Sequence, residues 1–121
     1  RLFFADLHAP GHAERQTYIP ARGWHVGSKI NPIAYDFAER LRQACPEEIR
    51  SPKAFVVPRP GSNSRYAGLS CSDWARSTGA DAVTVETTYQ GTADRDYTIE
   101  DYLRIGQALA ETIGEWVLDT E

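Results

Sequence analysis

Two residue types suited to hydrolytic chemistry stand at the ends of short apolar runs in this chain. His8 ends the run 2–8, and Glu86 follows the run 82–85. An imidazole can bind a divalent metal ion, and a partly desolvated carboxylate can act as a general base. Because ligands of open α/β sheets collect outside the carboxyl ends of the strands, we expect His8 and Glu86 to face one crevice.

Each of these residues also has an ordinary structural explanation. His8 could be a hydrogen-bonded loop residue, and Glu86 could form a salt bridge with an arginine. His12 follows His8 by four residues, but Pro10 and Gly11 between them disfavour the helix that would place both imidazoles on one face. The sequence also contains neither an H-E-x-x-H nor an H-x-x-E motif.

Three short apolar runs predict buried β-strands, at 2–8, 54–57 and 82–86. Two long segments rich in proline, glycine and polar residues lie between them, at 9–30 and 59–69. Loops of this length in a compact domain are usually functional or disordered. The chemistry is therefore expected where these loops meet the strand ends.

Capping residues and hydrophobic spacing predict two helices between the strands. The first has Asn31 as N-cap and Pro32 as first helical residue, and it ends near Cys45. The second is short and is capped by Ser70 or Ser72. Each helix connects one predicted strand to the next.

A third helix is predicted after the last strand. Thr98, with Asp101 three residues later, resembles a capping signal. The apolar and small residues that recur at helical spacing predict the face turned to the core. They are Ile99, Leu103, Gly106, Ala110, Ile113 and Val117.

The order strand–helix, repeated three times, predicts the α/β fold class. Strands separated by helices pair in parallel through right-handed crossovers, so we expect part of a doubly wound, mostly parallel sheet with helices on both faces. Three strands with two open edges would be poorly protected, so we expect upstream sequence or another chain to complete the sheet, with residues 1–121 as the C-terminal part of a single domain. The chain begins at Arg1 without an initiator Met, as expected of a piece of a longer polypeptide.

Composition and charge argue against two classes of partner. A net charge of −4 gives no electrostatic reason to expect nucleic acid or an anionic membrane, and no apolar run approaches the roughly 20 residues that cross a bilayer. Cys45 and Cys71 lack metal-ligand spacing, so free thiols are expected, with a disulfide as the alternative. Free thiols would favour a cytoplasmic protein, but the compartment stays open because any signal peptide would lie upstream.

Several features occur in an order that resembles the C-terminal half of the zinc carboxypeptidases, the M14 peptidases with the carboxypeptidase A fold. They are a strand ending in Asp6-Leu7-His8, a tyrosine in a loop, Gly68 followed by Ser72-Asp73-Trp74, the strand end 83–86, and the helix opening 97–103. The most specific are the Asp-Trp pair twelve to thirteen residues before Glu86 and the separation of His8 from Glu86. The resemblance covers nearly the whole chain.

The resemblance implies roles for five residues. His8 matches the third zinc ligand of the family, and Glu86 matches its general base. Tyr66 matches the mobile loop tyrosine that meets the substrate, with Arg65 as the neighbouring alternative. Ser72 matches a position that helps to select the substrate side chain, and a small neutral residue there argues against a preference for basic C-terminal residues. The implied activity is release of C-terminal amino acids from peptides, with zinc as cofactor.

The resemblance also implies that much of the catalytic site lies elsewhere. The family's first two zinc ligands, in an H-x-x-E arrangement, and its substrate-binding arginines would all precede Arg1. Because catalytic zinc takes about three protein ligands, residues 1–121 alone are expected to be inactive.

Two other interpretations stay open. Zinc amidohydrolases of the aspartoacylase and succinylglutamate desuccinylase type share the strand-terminal His and Glu but act on acylated amino acids. Asp73-Trp74 and the tyrosine loop before it look more like the peptidases. The other interpretation is a non-catalytic domain, either a degenerate relative or an unrelated α/β module in which His8 and Glu86 are structural.

Overall fold

The computed structural model describes residues 2–11, 14–24, 27–59 and 71–119. These residues form a mixed α/β structure, which confirms the predicted class at that level. In chain order the elements are β1 (Phe3–His8), β2 (Ile19–Pro20), α1 (Ala34–Ala44), a 3-10 turn (Glu47–Ile49), β3 (Phe55–Val56), α2 (Cys71–Ser77), β4 (Asp81–Glu86), β5 (Gly91–Thr92), β6 (Arg95–Asp96) and α3 (Ile99–Asp119).

Strands β1 and β4 form a parallel pair at the centre of the described structure. Their register joins Phe3 to Asp81 at one end and His8 to Glu86 at the other. Both strands were predicted from their apolar runs, and the structure places them side by side although most of the chain separates them. The pairing brings the two strand ends named above to the same edge.

Different helices cover the two faces of this pair. Val83 and Val85 belong to the hydrophobic core that includes residues of α1 and α3. Thr84 lies between them on the strand and bonds Ser72 of α2. Since neighbouring residues of a strand point to opposite faces, α1 and α3 lie on one face and α2 lies on the other.

The predicted strand at 54–57 does not join β1 and β4, which corrects the expected three-stranded parallel sheet. It is reduced to β3 and pairs in parallel with β2, in a segment predicted to be a loop. An antiparallel bridge between Tyr18 and Glu86 connects this second pair to β4. Pro52 and Pro58 flank β3. Because proline has no amide hydrogen to donate to a strand ladder, these two residues limit the length of the strand.

Helix α1 begins later than predicted, at Ala34 rather than Pro32. Its N-cap is Ile33, which makes no side-chain capping bond. Asn31 instead connects the helix to the sheet: its Nδ2 donates to the carbonyl of Ala82 at 2.7 Å, and its Oδ1 accepts from the amide of Ile33 at 3.3 Å. Asn31 therefore anchors the start of α1 on β4 rather than capping it.

The predicted cap of α3 is confirmed, whereas the predicted cap of α2 stays a prediction. The amide of Asp101 donates to Thr98 Oγ1 at 3.2 Å, and the amide of Thr98 donates to Asp101 Oδ2 at 3.0 Å. These reciprocal bonds form a capping box. Helix α2 already begins at Cys71, so Ser72 lies inside it, and Ser70 lies outside the described residues.

The buried face of α3 is not the predicted one. Ile99 is 81% exposed, and Gly106 is also exposed. The aromatic ring of Trp116 packs edge-on against Phe37, and Asp101 is buried by its bonds to Thr98 and Arg95. These contacts set the rotation of the helix and leave Ile99, Leu103, Gly106 and Ala110 exposed, whereas Ile113 is partly buried against the core. The buried residues are Asp101, Ile105, Ala108, Thr112 and Trp116.

Three smaller observations complete the fold. Strands β5 and β6 form an antiparallel hairpin between β4 and α3. Cys45 is buried and Cys71 is exposed, and both are free thiols, as predicted. None of the helices in the described ranges is long and apolar enough to cross a membrane.

Candidate functional site at the carboxyl ends of β1 and β4

His8 and Glu86 lie next to each other where β1 and β4 end. They are register partners in a parallel pair, so their side chains leave the same face of neighbouring strands about 4.8 Å apart. Asp6 and Thr84 precede them by two residues and share that face. The structure thus brings together two residues that the sequence singled out and two that it did not.

Asp6 adds a second carboxylate to the pair. Its Oδ1 lies 3.0 Å from Nδ1 of His8. The Asp6 side chain is mostly buried, whereas 57% of the His8 side chain is exposed. An imidazole held at Nδ1 by a carboxylate offers its other nitrogen, Nε2, to a ligand.

Glu86 is a half-buried carboxylate with an unsatisfied oxygen. Its Oε2 is buried and accepts no hydrogen bond from any residue in the described ranges. Burial raises the pKa of Glu86 above its ordinary value, the charge on His8 lowers it, and the charge on Asp6 raises it. No arginine is among the groups that shift this pKa, so the salt-bridge explanation has no support in the described part of the chain. Partial desolvation of this kind suits a general base.

Ser72 reaches the same face from α2. Its hydroxyl lies 2.9 Å from the hydroxyl of Thr84, and the two form a hydrogen bond. Thr84 precedes Glu86 by two residues, a distance of about 7 Å along the strand. The pair places neutral hydroxyl groups beside the two carboxylates, at the foot of the helix that carries Asp73 and Trp74.

Tyr18 connects Glu86 to the segment that follows β1. The amide of each residue donates to the carbonyl of the other, at 3.0 Å from Tyr18 and 2.9 Å from Glu86. Burial raises the pKa of Tyr18 to about 12, and the charges of Glu86 and Glu14 contribute in the same direction. Tyr18 therefore keeps its phenol proton at neutral pH, and its backbone bonds fix the end of β4.

Two predicted site residues cannot be placed. Tyr66 and Arg65 both lie outside the described residues. Their predicted contacts with a substrate are therefore not located relative to His8 and Glu86.

A complete metal site is not present in the part of the chain that the structure describes. No group of three or more His, Cys, Asp or Glu side chains there is arranged to hold a metal ion. His8 offers one exposed imidazole. Because catalytic zinc takes about three protein ligands, the expectation that residues 1–121 supply one of them stays a prediction.

Sequence reasoning missed three members of this site, namely Asp6 and Thr84, which precede His8 and Glu86 by two residues on the predicted strands, and Tyr18. Asp6 precedes His8 by two residues on a predicted strand, and the two-residue period places both on one face. That signal was available. Tyr18 had none, because it lies in a segment without periodicity and reaches Glu86 through backbone atoms alone.

Comparison of the chain with protein-family models, with curated proteins and with solved structures found no match.

Proposed function

We propose that this chain is the C-terminal part of a zinc-dependent hydrolase that resembles the M14 carboxypeptidases and releases C-terminal amino acids from peptides. The observation that carries the proposal is the register of β1 and β4, which puts His8 and Glu86 on one face at one sheet edge. Metal-assisted hydrolysis needs a metal ligand and a general base in one crevice. An imidazole and a partly desolvated carboxylate can supply these groups, and the carboxyl ends of parallel strands are where such crevices form.

Each side chain has a defined task in this proposal. His8 would bind zinc through Nε2, because Asp6 occupies the other side of the ring. Bound zinc acts as a Lewis acid and lowers the pKa of a coordinated water to about 7. Glu86 would take the proton of the attacking water on its carboxylate and pass it to the leaving amine.

The substrate side of the proposal rests on Ser72 and the loop before it. The Ser72–Thr84 hydroxyl pair is neutral, which agrees with a substrate side chain that is not basic. Tyr66, or Arg65 beside it, would contact the substrate from the loop. The remaining zinc ligands and the arginines that bind the substrate carboxylate would come from residues outside this sequence.

We further propose that β1 and β4 belong to a larger, doubly wound sheet. The outer edge of β1 has no ladder partner in the described ranges. Leu7, on β1, is 64% exposed, and Leu2, just before it, is 77% exposed. Large apolar residues along an open strand edge are unusual in a finished sheet, and further strands would cover them.

The first test is metal content and hydrolysis by the complete protein that carries this chain. We expect about one zinc per molecule, with zinc lost in His8→Ala. Glu86→Gln should keep the zinc and lose about 10²- to 10⁴-fold in kcat, the usual contribution of a general base. Glu115→Gln, an exposed glutamate on α3, is the matched control and should keep full activity.

The choice of substrate separates the competing activities. Blocked dipeptides should be hydrolysed faster than N-acylated amino acids if the protein is a carboxypeptidase. The reverse order would assign it to the amidohydrolases. A protein without stoichiometric zinc, in which Glu86→Gln changes no activity, would be a non-catalytic relative and would contradict the proposal.

A further inference from the structure

Thr88 is a buried hydrogen-bonding centre two residues beyond Glu86. Only 1% of its surface is exposed. Its Oγ1 donates to the carbonyl of Glu14 at 2.7 Å and lies 3.2 Å from the carbonyl of Gly91. The same oxygen accepts from the amides of Gln90 at 3.2 Å and Gly91 at 3.3 Å.

The backbone of Thr88 is held as firmly as its side chain. Its amide donates to Thr17 Oγ1 at 3.4 Å, and its carbonyl accepts from the hydroxyl of Tyr102 at 3.0 Å. Glu14 and Thr17 belong to the segment that follows β1, and Tyr102 belongs to α3. Thr88 therefore joins three parts of the chain that are distant in sequence.

These bonds continue an anchoring that begins at Glu86 itself. Glu86 exchanges two backbone bonds with Tyr18, and the amide of Thr87 donates to the carbonyl of His8 at 2.9 Å. Residues 86, 87 and 88 are thus each bonded to the segment 8–18. These bonds hold the end of β4 against the end of β1 and against the segment that follows β1.

Precise placement matters for a general base. A displacement of about 1 Å in a reacting group can cost about 100-fold in rate. A carboxylate at a strand end would follow the motion of the next segment unless that segment were held. Thr88 is the first residue after Glu86 whose side chain bonds the facing segment.

We propose that Thr88 is a positioning residue, which holds the Glu86 carboxylate in register with His8 by fixing the segment after β4 onto the segment after β1. The inference rests on the proposed function for the role of Glu86. The hydrogen bonds of Thr88 themselves do not depend on that function.

The test compares Thr88→Val with Thr88→Ser and with a matched control, Thr112→Val. Valine keeps the shape of threonine and removes the hydroxyl, whereas serine keeps the hydroxyl. Thr112 is equally buried, and its hydroxyl bonds the carbonyl of Ala108 within α3, away from the site. Amide hydrogen exchange of the full chain is measured by NMR at Glu86 and Tyr18, with Leu41 in α1 as the reference for global opening.

In wild type, local opening at Glu86 must break the hydroxyl bonds of Thr88, and in Thr88→Val these bonds are absent, so opening costs less free energy. We therefore expect Thr88→Val to speed exchange at Glu86 and Tyr18 about tenfold more than at Leu41. Thr88→Ser should restore slow exchange. Thr112→Val should change all three amides by the same factor. Equal effects at Glu86, Tyr18 and Leu41 in Thr88→Val would overturn the proposal.

A milder variant keeps the test decisive if Thr88→Val does not fold. Tyr102→Phe removes only the bond to the Thr88 carbonyl, and it should speed exchange at Glu86 and Tyr18 about threefold relative to Leu41. No selective change in this variant would also overturn the proposal.

Kinetics of the complete protein separate this inference from the proposed function. If hydrolysis depends on Glu86, Thr88→Val should lower kcat at least tenfold with little change in KM, and an unchanged kcat would overturn the positioning role. If no hydrolysis exists, the proposed function fails, and hydrogen exchange alone decides whether Thr88 fixes Glu86.

Discussion

The carboxylate of Asp6 lies 3.0 Å from the Nδ1 of His8, two residues away on the same strand face. Such a carboxylate fixes the orientation and tautomer of an imidazole and makes it a better metal ligand. A hydrolase that binds zinc through His8 should therefore depend on Asp6 as well. Loss of the Asp6 carboxylate should lower the zinc affinity before it lowers the rate of hydrolysis.

Asp6→Asn should weaken zinc binding by the complete protein about 10- to 100-fold. Competition with a chelator of known affinity measures the change. Asp36→Asn is the matched control, because Asp36 is an exposed residue of α1 paired with Arg40, and it should leave the affinity unchanged. Equal zinc affinity of Asp6→Asn and wild type would show that His8 does not need this carboxylate.

Asp101 should make the stability of the fold depend on acidic pH. Hydrogen bonds from Arg95, then from the amide of Thr98, hold the pKa of Asp101 below its ordinary value. Because the folded pKa is lower than the unfolded one, the charged carboxylate stabilises the fold at every pH above about 4. That contribution is lost as the pH falls through the folded pKa.

Asp101→Asn should therefore unfold at lower urea concentration than wild type at pH 7, and the difference should close as the pH is lowered below about 4. Asn keeps an oxygen that can accept from Thr98, so the comparison isolates the charge. Asp94→Asn, at an exposed turn, should shift stability by less than about 0.5 kcal/mol at pH 7. A difference for Asp101→Asn that is the same at pH 7 and pH 3 would contradict this account.

The parts of the structure that the sequence predicted are those determined by local pattern. The apolar runs identified β1 and β4, and the pair Thr98 and Asp101 identified the start of α3. Each signal involves residues within a few positions of one another. The shared edge of His8 and Glu86 also followed, since parallel strands place their carboxyl ends together.

The parts that the sequence did not predict depend on contacts between distant residues. Two-residue strands such as β2 and β3 have no periodicity, and only their backbone bonds define them. The rotation of α3 was set by Trp116 against Phe37 and by Asp101 against Arg95, contacts that helical spacing alone does not reveal. Long-range packing thus overrode the apolar stripe that begins at Ile99.

Asn31 shows how the same residue type can take a different role from the one its position suggests. Its buried side chain donates to the carbonyl of Ala82 on β4 instead of capping α1. Asn31→Ala should leave that buried carbonyl unpaired and lower the free energy of unfolding by about 1–3 kcal/mol. Gln107→Ala, which removes an exposed amide on α3, should cost less than about 0.5 kcal/mol in the same urea denaturation. Equal costs for the two variants would mean that the Asn31 bond contributes nothing.

Two glycines should respond in opposite directions to the same substitution. Gly91 opens the β5–β6 hairpin with a φ of +129°, and a Cβ there would lie 2.1 Å from the carbonyl oxygen of Arg95. Gly114 lies on an exposed position of α3, where nothing stands within 4 Å of an added Cβ. Gly91→Ala should therefore lower the free energy of unfolding by about 2 kcal/mol or more, because both the backbone and the contact are strained. Gly114→Ala should raise it by about 0.5–1 kcal/mol, because alanine loses less backbone entropy in a helix. Urea denaturation of both variants measures the two changes in the free energy of unfolding. A stabilising Gly91→Ala would show that the hairpin does not have the conformation described.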